Sequence, residues 1–152
     1  MIDDPIYSQY DCHMQEKHKR TIHQRNVNEA TEDEQLEYIQ DFPWRIRSIR
    51  EPSNRLKEAI VMEDGHNIQY IDDPLEDLQM MALESSSSSI CKMTNPSERV
   101  KIYAVKLDGW NIRHIKEPSQ EIINAALEKD PTAIYFVHGH DWSTIWVDIS
   151  SI

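Results

Sequence analysis

With 152 residues, 39 % of them apolar and 28 % charged, the chain has the size and make-up of one folded domain. No apolar run approaches the ~18 residues of a membrane span, and a net charge of −11 opposes phosphate, so neither a membrane nor direct nucleic-acid binding is expected. A protein with a basic surface is the partner that charge favours.

Residues 1–23, opening MIDDPIYSQYD, show neither the basic start nor the apolar segment of a secretory signal. They read as an N-terminal arm or cap, and the expected location is cytoplasmic. Cys12 and Cys91 form no metal-type spacing and read as reduced thiols. Cys12-His13, His18 and His23 read as solvated groups of the arm. The charge deficit begins at NEATEDEQLEYIQD (28–41), where Glu29, Glu32, Asp33, Glu34, Glu37 and Asp41 stand without a base. These acids are the expected contacts for a basic partner.

From there the chain repeats itself. IREPSNRLKEAI (49–60) returns as IKEPSQEIINAA (115–126). Every 22 residues an isoleucine recurs: Ile46, Ile68, Ile90, Ile112, Ile134. Three positions later come Ile49, Ile71, Met93, Ile115 and Val137, and three further Pro52, Pro74, Pro96 and Pro118. A decayed copy starts near Gln24. Asp73-Pro74-Leu75-Glu76 and Asn95-Pro96-Ser97-Glu98 suggest a capping side chain, proline in the first turn, then a glutamate closing a capping box. Glu51-Pro52 and Glu117-Pro118 are poorer caps at that position. Leu56, Ala59, Ile60 and then Leu78, Met81, Ala82 form one helical stripe, continued by Val100, Tyr103, Ala104 and Ile122, Ala125, Ala126. Asp64-Gly65 and Asp108-Gly109 stop the helix, with glycine suited to a left-handed cap. The I-x-x-I pair then fits a short helical return.

No unit could bury its stripe alone, so stacked neighbours have to supply the core. The expected fold is mainly α: a short right-stacked α-solenoid over residues 24–137, with helix–turn–short-helix units of about 22 residues starting near 24, 46, 68, 90 and 112. In that register ESSSSS (84–89) is an ordered surface turn rather than a linker, and VKIYAVKLDGWNIRHI is helical rather than a hairpin.

Residues 134–152 leave the pattern and read as a C-terminal cap, irregular or a β-hairpin. His138, His140 and Asp141 are the most site-like cluster, two imidazoles and a carboxylate. No second ligand pair accompanies them, so no metal and no cofactor is expected. Trp110 shares its repeat position with Trp44 and is either an interface anchor or intra-repeat packing. Trp142 and Trp146 have no repeat duty and read as anchors. Without a Gly-rich phosphate loop, a G-x-S-x-G elbow or an H-E-x-x-H helix, no catalytic residue is assigned.

PSERVKIYAVKLDGWNIRHIKEPS (96–119) and PSQEIINAALEKDPTAIYFV (118–137) resemble a widespread helical repeat family of unknown function. Its members carry proline- or aspartate-led helices ending in Ala-Val-x-x-Asn-Gly, followed by a short I-x-x-I/V element. They occur in phage, giant-virus and bacterial accessory proteins. The resemblance spans about residues 46–137, departs from the family at Ser85–Ser89 and at both ends, and carries no catalytic residue with it. It implies a repeat scaffold of phage or viral origin. The expected function is therefore a non-enzymatic interaction module, a monomer or small homo-oligomer, that binds and inhibits a host or defence protein through its acidic surface. The alternative is a ligand-binding or catalytic module built on His138-Gly139-His140-Asp141.

Overall fold

An I-x-x-I pair puts both side chains on one side of a 3-10 turn, because residues i and i+3 eclipse there. That geometry is realised in every unit. The computed structural model describes residues 26–137. Five α-helices, α1 (Glu32–Gln40), α2 (Asn54–Glu63), α3 (Glu76–Ser85), α4 (Glu98–Leu107) and α5 (Gln120–Lys129), each lead into a 3-10 helix. Those 3-10 helices are Pro43–Ser48, Gly65–Tyr70, Ser87–Lys92, Gly109–His114 and Pro131–Phe136, and a shorter one, Val27–Glu29, precedes α1. No strand occurs among the described residues. Successive α-helices pack side by side, as do successive 3-10 helices, which makes the chain a helical repeat solenoid. Ile46, Ile68, Ile90 and Ile112 are buried between the two layers, with Ile49, Ile71, Ile115 and Val137 beside them. Ile134 to Val137 continue the repeat, and the rest of the expected C-terminal cap and the arm lie outside the described residues.

In α5 the expected Ile122, Ala125 and Ala126 are all buried, joined by Ile123, whereas in α2, α3 and α4 the buried stripe is rotated by one residue from the expected one. Leu56, Ile60 and Val61 are buried in α2, Leu78, Ala82 and Leu83 in α3, and Val100, Ala104 and Val105 in α4. Ala59, Met81 and Tyr103 are only half-buried. Each helix must face its own 3-10 helix as well as its neighbours, and this draws in the next residue along.

The helix starts also differ. Proline lies outside the helix, and the residue after it is the N-cap: the Ser53, Ser97 and Ser119 hydroxyls accept from the backbone N–H of Leu56, Val100 and Ile122. Asp73, Asn95 and Glu117, expected to cap, instead adopt left-handed φ values of 47°, 52° and 50°. The capping box forms at Thr31 and Glu34. Glu76 and Glu98 accept instead from the N-cap serines of the following unit.

Gly65 and Gly109 are not in the left-handed region. Their role is close approach. A Cβ on Gly109 would stand 2.7 Å from the Ala126 carbonyl oxygen and 2.9 Å from the Asp130 Cβ, and one on Gly65 would meet the Ala82 carbonyl. Asp64, Asp108 and Asp130 end one helix and cap the next, accepting from the N–H of His66, Trp110 and Thr132. Asn67 donates to the Ile60 carbonyl (2.9 Å), and Asn111 to the carbonyls of Ala104 (3.0 Å) and Ser87 (2.8 Å). The corresponding residue in the serine-rich unit is Ser89, fully buried, with no partner for its hydroxyl.

The serine run is ordered and fastened to the preceding unit. Ser85 accepts from Gly65 N–H and donates to the Met62 carbonyl, Ser86 donates to Asp64, and Ser88 meets His66.

Two stability outcomes follow. Gly109→Ala should lower stability by about 2–3 kcal/mol in chemical denaturation, because backbone rather than a flexible side chain has to yield. Ser89→Asn should raise it by about 1 kcal/mol, since the longer amide reaches the Ala82 carbonyl as Asn111 reaches Ala104. A loss on Ser89→Asn would show that this unit has no room for the bond.

Candidate functional site

Along the N-terminal ends of the α-helices runs a polar ladder. The Ser53 hydroxyl donates to Glu32, and Arg55 bonds Glu32 (3.1 Å) and Asp33 (2.7 Å). One interface is then skipped. Ser97 next donates to Glu76 (2.6 Å), joined by Arg99 (2.8 Å), and Ser119 donates to Glu98. A serine that caps its own helix thus also fastens it to the previous one. The Ser53 and Ser97 hydroxyls, aided by Arg55 and Arg99, hold the Glu32 and Glu76 carboxyls below the usual carboxylate range.

Between α2 and α3 the ladder is missing. Asn54 stands where the other interfaces have glutamate, Leu75 where they have serine, and Asp77 where two of them have arginine. Leu75 is 73 % exposed and gives α3 no side-chain cap. It borders a groove whose apolar part is Leu75, Leu78 and Met81, with Glu58, Asp73 and Asp77 around it and Lys57 alongside. The repeat surrenders its fastening here and exposes a leucine among acids.

The expected partner-facing acids divide in two. Glu32, Asp33 and Glu34 are committed to the ladder and the capping box, Glu29 accepts from Asn26 (3.4 Å), and Asp41 closes α1. Glu37 is exposed on α1. Trp110 donates its indole N–H to Asp130 (2.6 Å) and Thr132 (3.0 Å) and lies 5.1 Å from the Phe136 ring. It fastens the last two units while remaining 40 % exposed. Trp44 is more open, beside Arg45, whose guanidinium sits over the rings of Phe42 (4.3 Å), Tyr38 (5.0 Å) and Trp44 (5.7 Å). His138, His140, Asp141, Trp142 and Trp146 lie outside the described residues. Among the described residues no three His, Cys, Asp or Glu side chains converge as a metal site, and no helix is long and apolar enough to cross a membrane.

One cluster went unread in the sequence. His66 Nδ1 lies 2.8 Å from Asp64 Oδ1, and its Nε2 lies 3.0 Å from Ser88 Oγ. The signal was available: His66 and Ser88 are one 22-residue period apart. The Asp64 carboxyl is held below its usual range, first by the His66 backbone N–H and then by the imidazole.

No protein-family model, curated protein or solved structure matches the chain.

The ladder carries a pH dependence. Glu32 and Glu76 titrate lower in the folded chain than the ordinary 4.5, so their contribution is intact above that value and is lost as pH falls through the lowered folded values. The melting temperature should hold from neutrality to about pH 5 and drop below it. The double variant Glu32→Gln, Glu76→Gln should show a shallower acid limb. An acid limb identical to the parent's would exclude the ladder as its source.

Proposed function

We propose that this chain is a protein-interaction module that grips a basic, amphipathic segment of a partner in the groove between α2 and α3. The observation that carries this reading is the substitution of the polar ladder at that one interface by Asn54, exposed Leu75 and Asp77. An apolar anchor position ringed by carboxylates is an arrangement that favours a partner side chain with a cationic rim. The α-helical layer supplies the wider acidic field, with Glu37, Glu58, Glu63, Glu84, Glu121 and Glu128 all exposed. Binding of this kind requires no chemistry from the module. A phage or viral setting, with inhibition of a host or defence protein as the outcome, rests on the resemblance of the repeat.

The experiment separates anchor from scaffold. Leu75→Ser restores a capping serine, so it should raise thermal stability by about 1 kcal/mol while shortening the residence time of the captured partner. Glu58→Gln with Asp77→Asn should slow association and flatten its dependence on salt, since charges beyond about 8 Å are screened at physiological ionic strength. A partner captured equally well by parent and Leu75→Ser would place binding elsewhere on the solenoid.

A further inference from the structure

We infer that Ser88, His66 and Asp64 form a nucleophilic relay able to transfer the acyl group of a small activated carboxylic ester. The geometry is that of nucleophile, base and orienting carboxylate. Asp64 accepts from Nδ1, which fixes the tautomer and leaves Nε2 as the acceptor facing the Ser88 hydroxyl, at 2.8 and 3.0 Å respectively. The Asp64 oxygen is itself held by the His66 backbone N–H (2.9 Å) and the Ser86 hydroxyl (3.3 Å).

The same repeat position shows what a fastening alone requires. Between the last units it is filled by Trp110 donating to Thr132, a pair with no base. At residues 66 and 88 the pair is instead an imidazole and a primary hydroxyl. A second difference supports the reading. The aspartates that cap the neighbouring 3-10 helices consume the N–H of His66, Trp110 and Thr132. Ser86, in the equivalent place, makes no such cap and turns its hydroxyl to Asp64. No acceptor among the described residues takes the backbone N–H of Ser88. The nucleophile therefore carries its own free amide donor, the element that stabilises an oxyanion.

In the step, Ser88 Oγ bonds to the ester carbonyl carbon and its proton passes to His66 Nε2, with the oxyanion facing the Ser88 N–H. The carbon–alkoxide bond then breaks, and the leaving alcohol takes the proton from His66. Water repeats the sequence on the acyl-serine, restoring Ser88 and releasing the acid. The pair stands half-buried at the surface, with Trp110 of the next unit exposed at the same register. A small aryl ester, whose phenolate leaves readily, suits a half-buried pair at the surface.

A fluorophosphonate probe tests this on the full chain, because Ser88 would displace fluoride from phosphorus while His66 takes the proton. Peptide mass spectrometry should find one adduct, on Ser88, absent in Ser88→Ala. His66→Ala should slow labelling about 100-fold, the scale of a lost general base. Asp64→Asn should slow it at least about tenfold by freeing the tautomer, although asparagine still caps the 3-10 helix and the melt is kept. If His66→Ala unfolds the chain, His66→Gln keeps a polar contact to Ser88 without the base and should show the same loss. No adduct, an adduct spread over Ser85, Ser86 and Ser88, or a rate indifferent to both His66 variants would overturn the relay.

Discussion

Each side-chain hydrogen bond that ties one unit to the next joins residues 19 to 24 apart, as in Tyr103 to Glu84, Arg47 to the Gln69 carbonyl and Asn111 to the Ser87 carbonyl. That single constraint holds the rest of the structure in place. A unit of one α-helix and one six-residue 3-10 helix exposes too much apolar surface to stand alone, so its stability is a nearest-neighbour quantity. An insertion of one residue between Trp110 and Ser119 would move Gly109 away from the Ala126 carbonyl, Ser119 away from Glu98 and Trp110 away from Asp130 together. The strict period seen across Ile46, Ile68, Ile90, Ile112 and Ile134 records that coupling.

The period, the helices and the order of the serine run were legible because each depends on composition summed over a whole unit. Features fixed by a single atom were not. Asp73 and Asn95 have the chemistry of caps, but the chain enters them with positive φ, and the capping task passes to the residue beyond proline. Glycine after aspartate suggests a left-handed cap; here it answers to a carbonyl in the next unit, a constraint no local reading contains. Val61, Leu83 and Val105 were missed since a stripe at i, i+3, i+4 describes a helix covered from one side, and these are covered from two. The Asp64–His66–Ser88 cluster was hidden for the reverse reason. Its members look ordinary singly, and only superposing consecutive units shows them meeting.

In a repeat the informative residues are those that break rank. Leu75 and Asn54 forgo a serine–glutamate bond that other interfaces keep, Ser89 forgoes the asparagine bond, and Ser86 forgoes the aspartate cap. Gln79 leaves its side-chain oxygen unpaired although 8 % exposed. All but Asn54 belong to the unit from Ile68 to Ser89. Its neighbours on both sides retain the fastenings, so losses there are supported by well-coupled units. Sites that sacrifice local stability are expected where a chain does something besides hold together.

Net charge describes the chain, but a partner meets a face. The five long 3-10 helices carry Arg45, Arg47, Lys92 and Arg113 and no acidic residue, while carboxylates predominate on the α-helical layer and at the turns. A helix with its side chains is about 10 Å across, comparable with the distance over which physiological salt screens a charge. The two layers therefore present separate fields, and the negative charge of the described residues is felt mainly from the α side. On that side Glu58 and Asp77 flank Leu75, with Lys57 beside them. The Asp64–His66–Ser88 cluster lies instead where the layers join, at the end of α2 and between the 3-10 helices Gly65–Tyr70 and Ser87–Lys92.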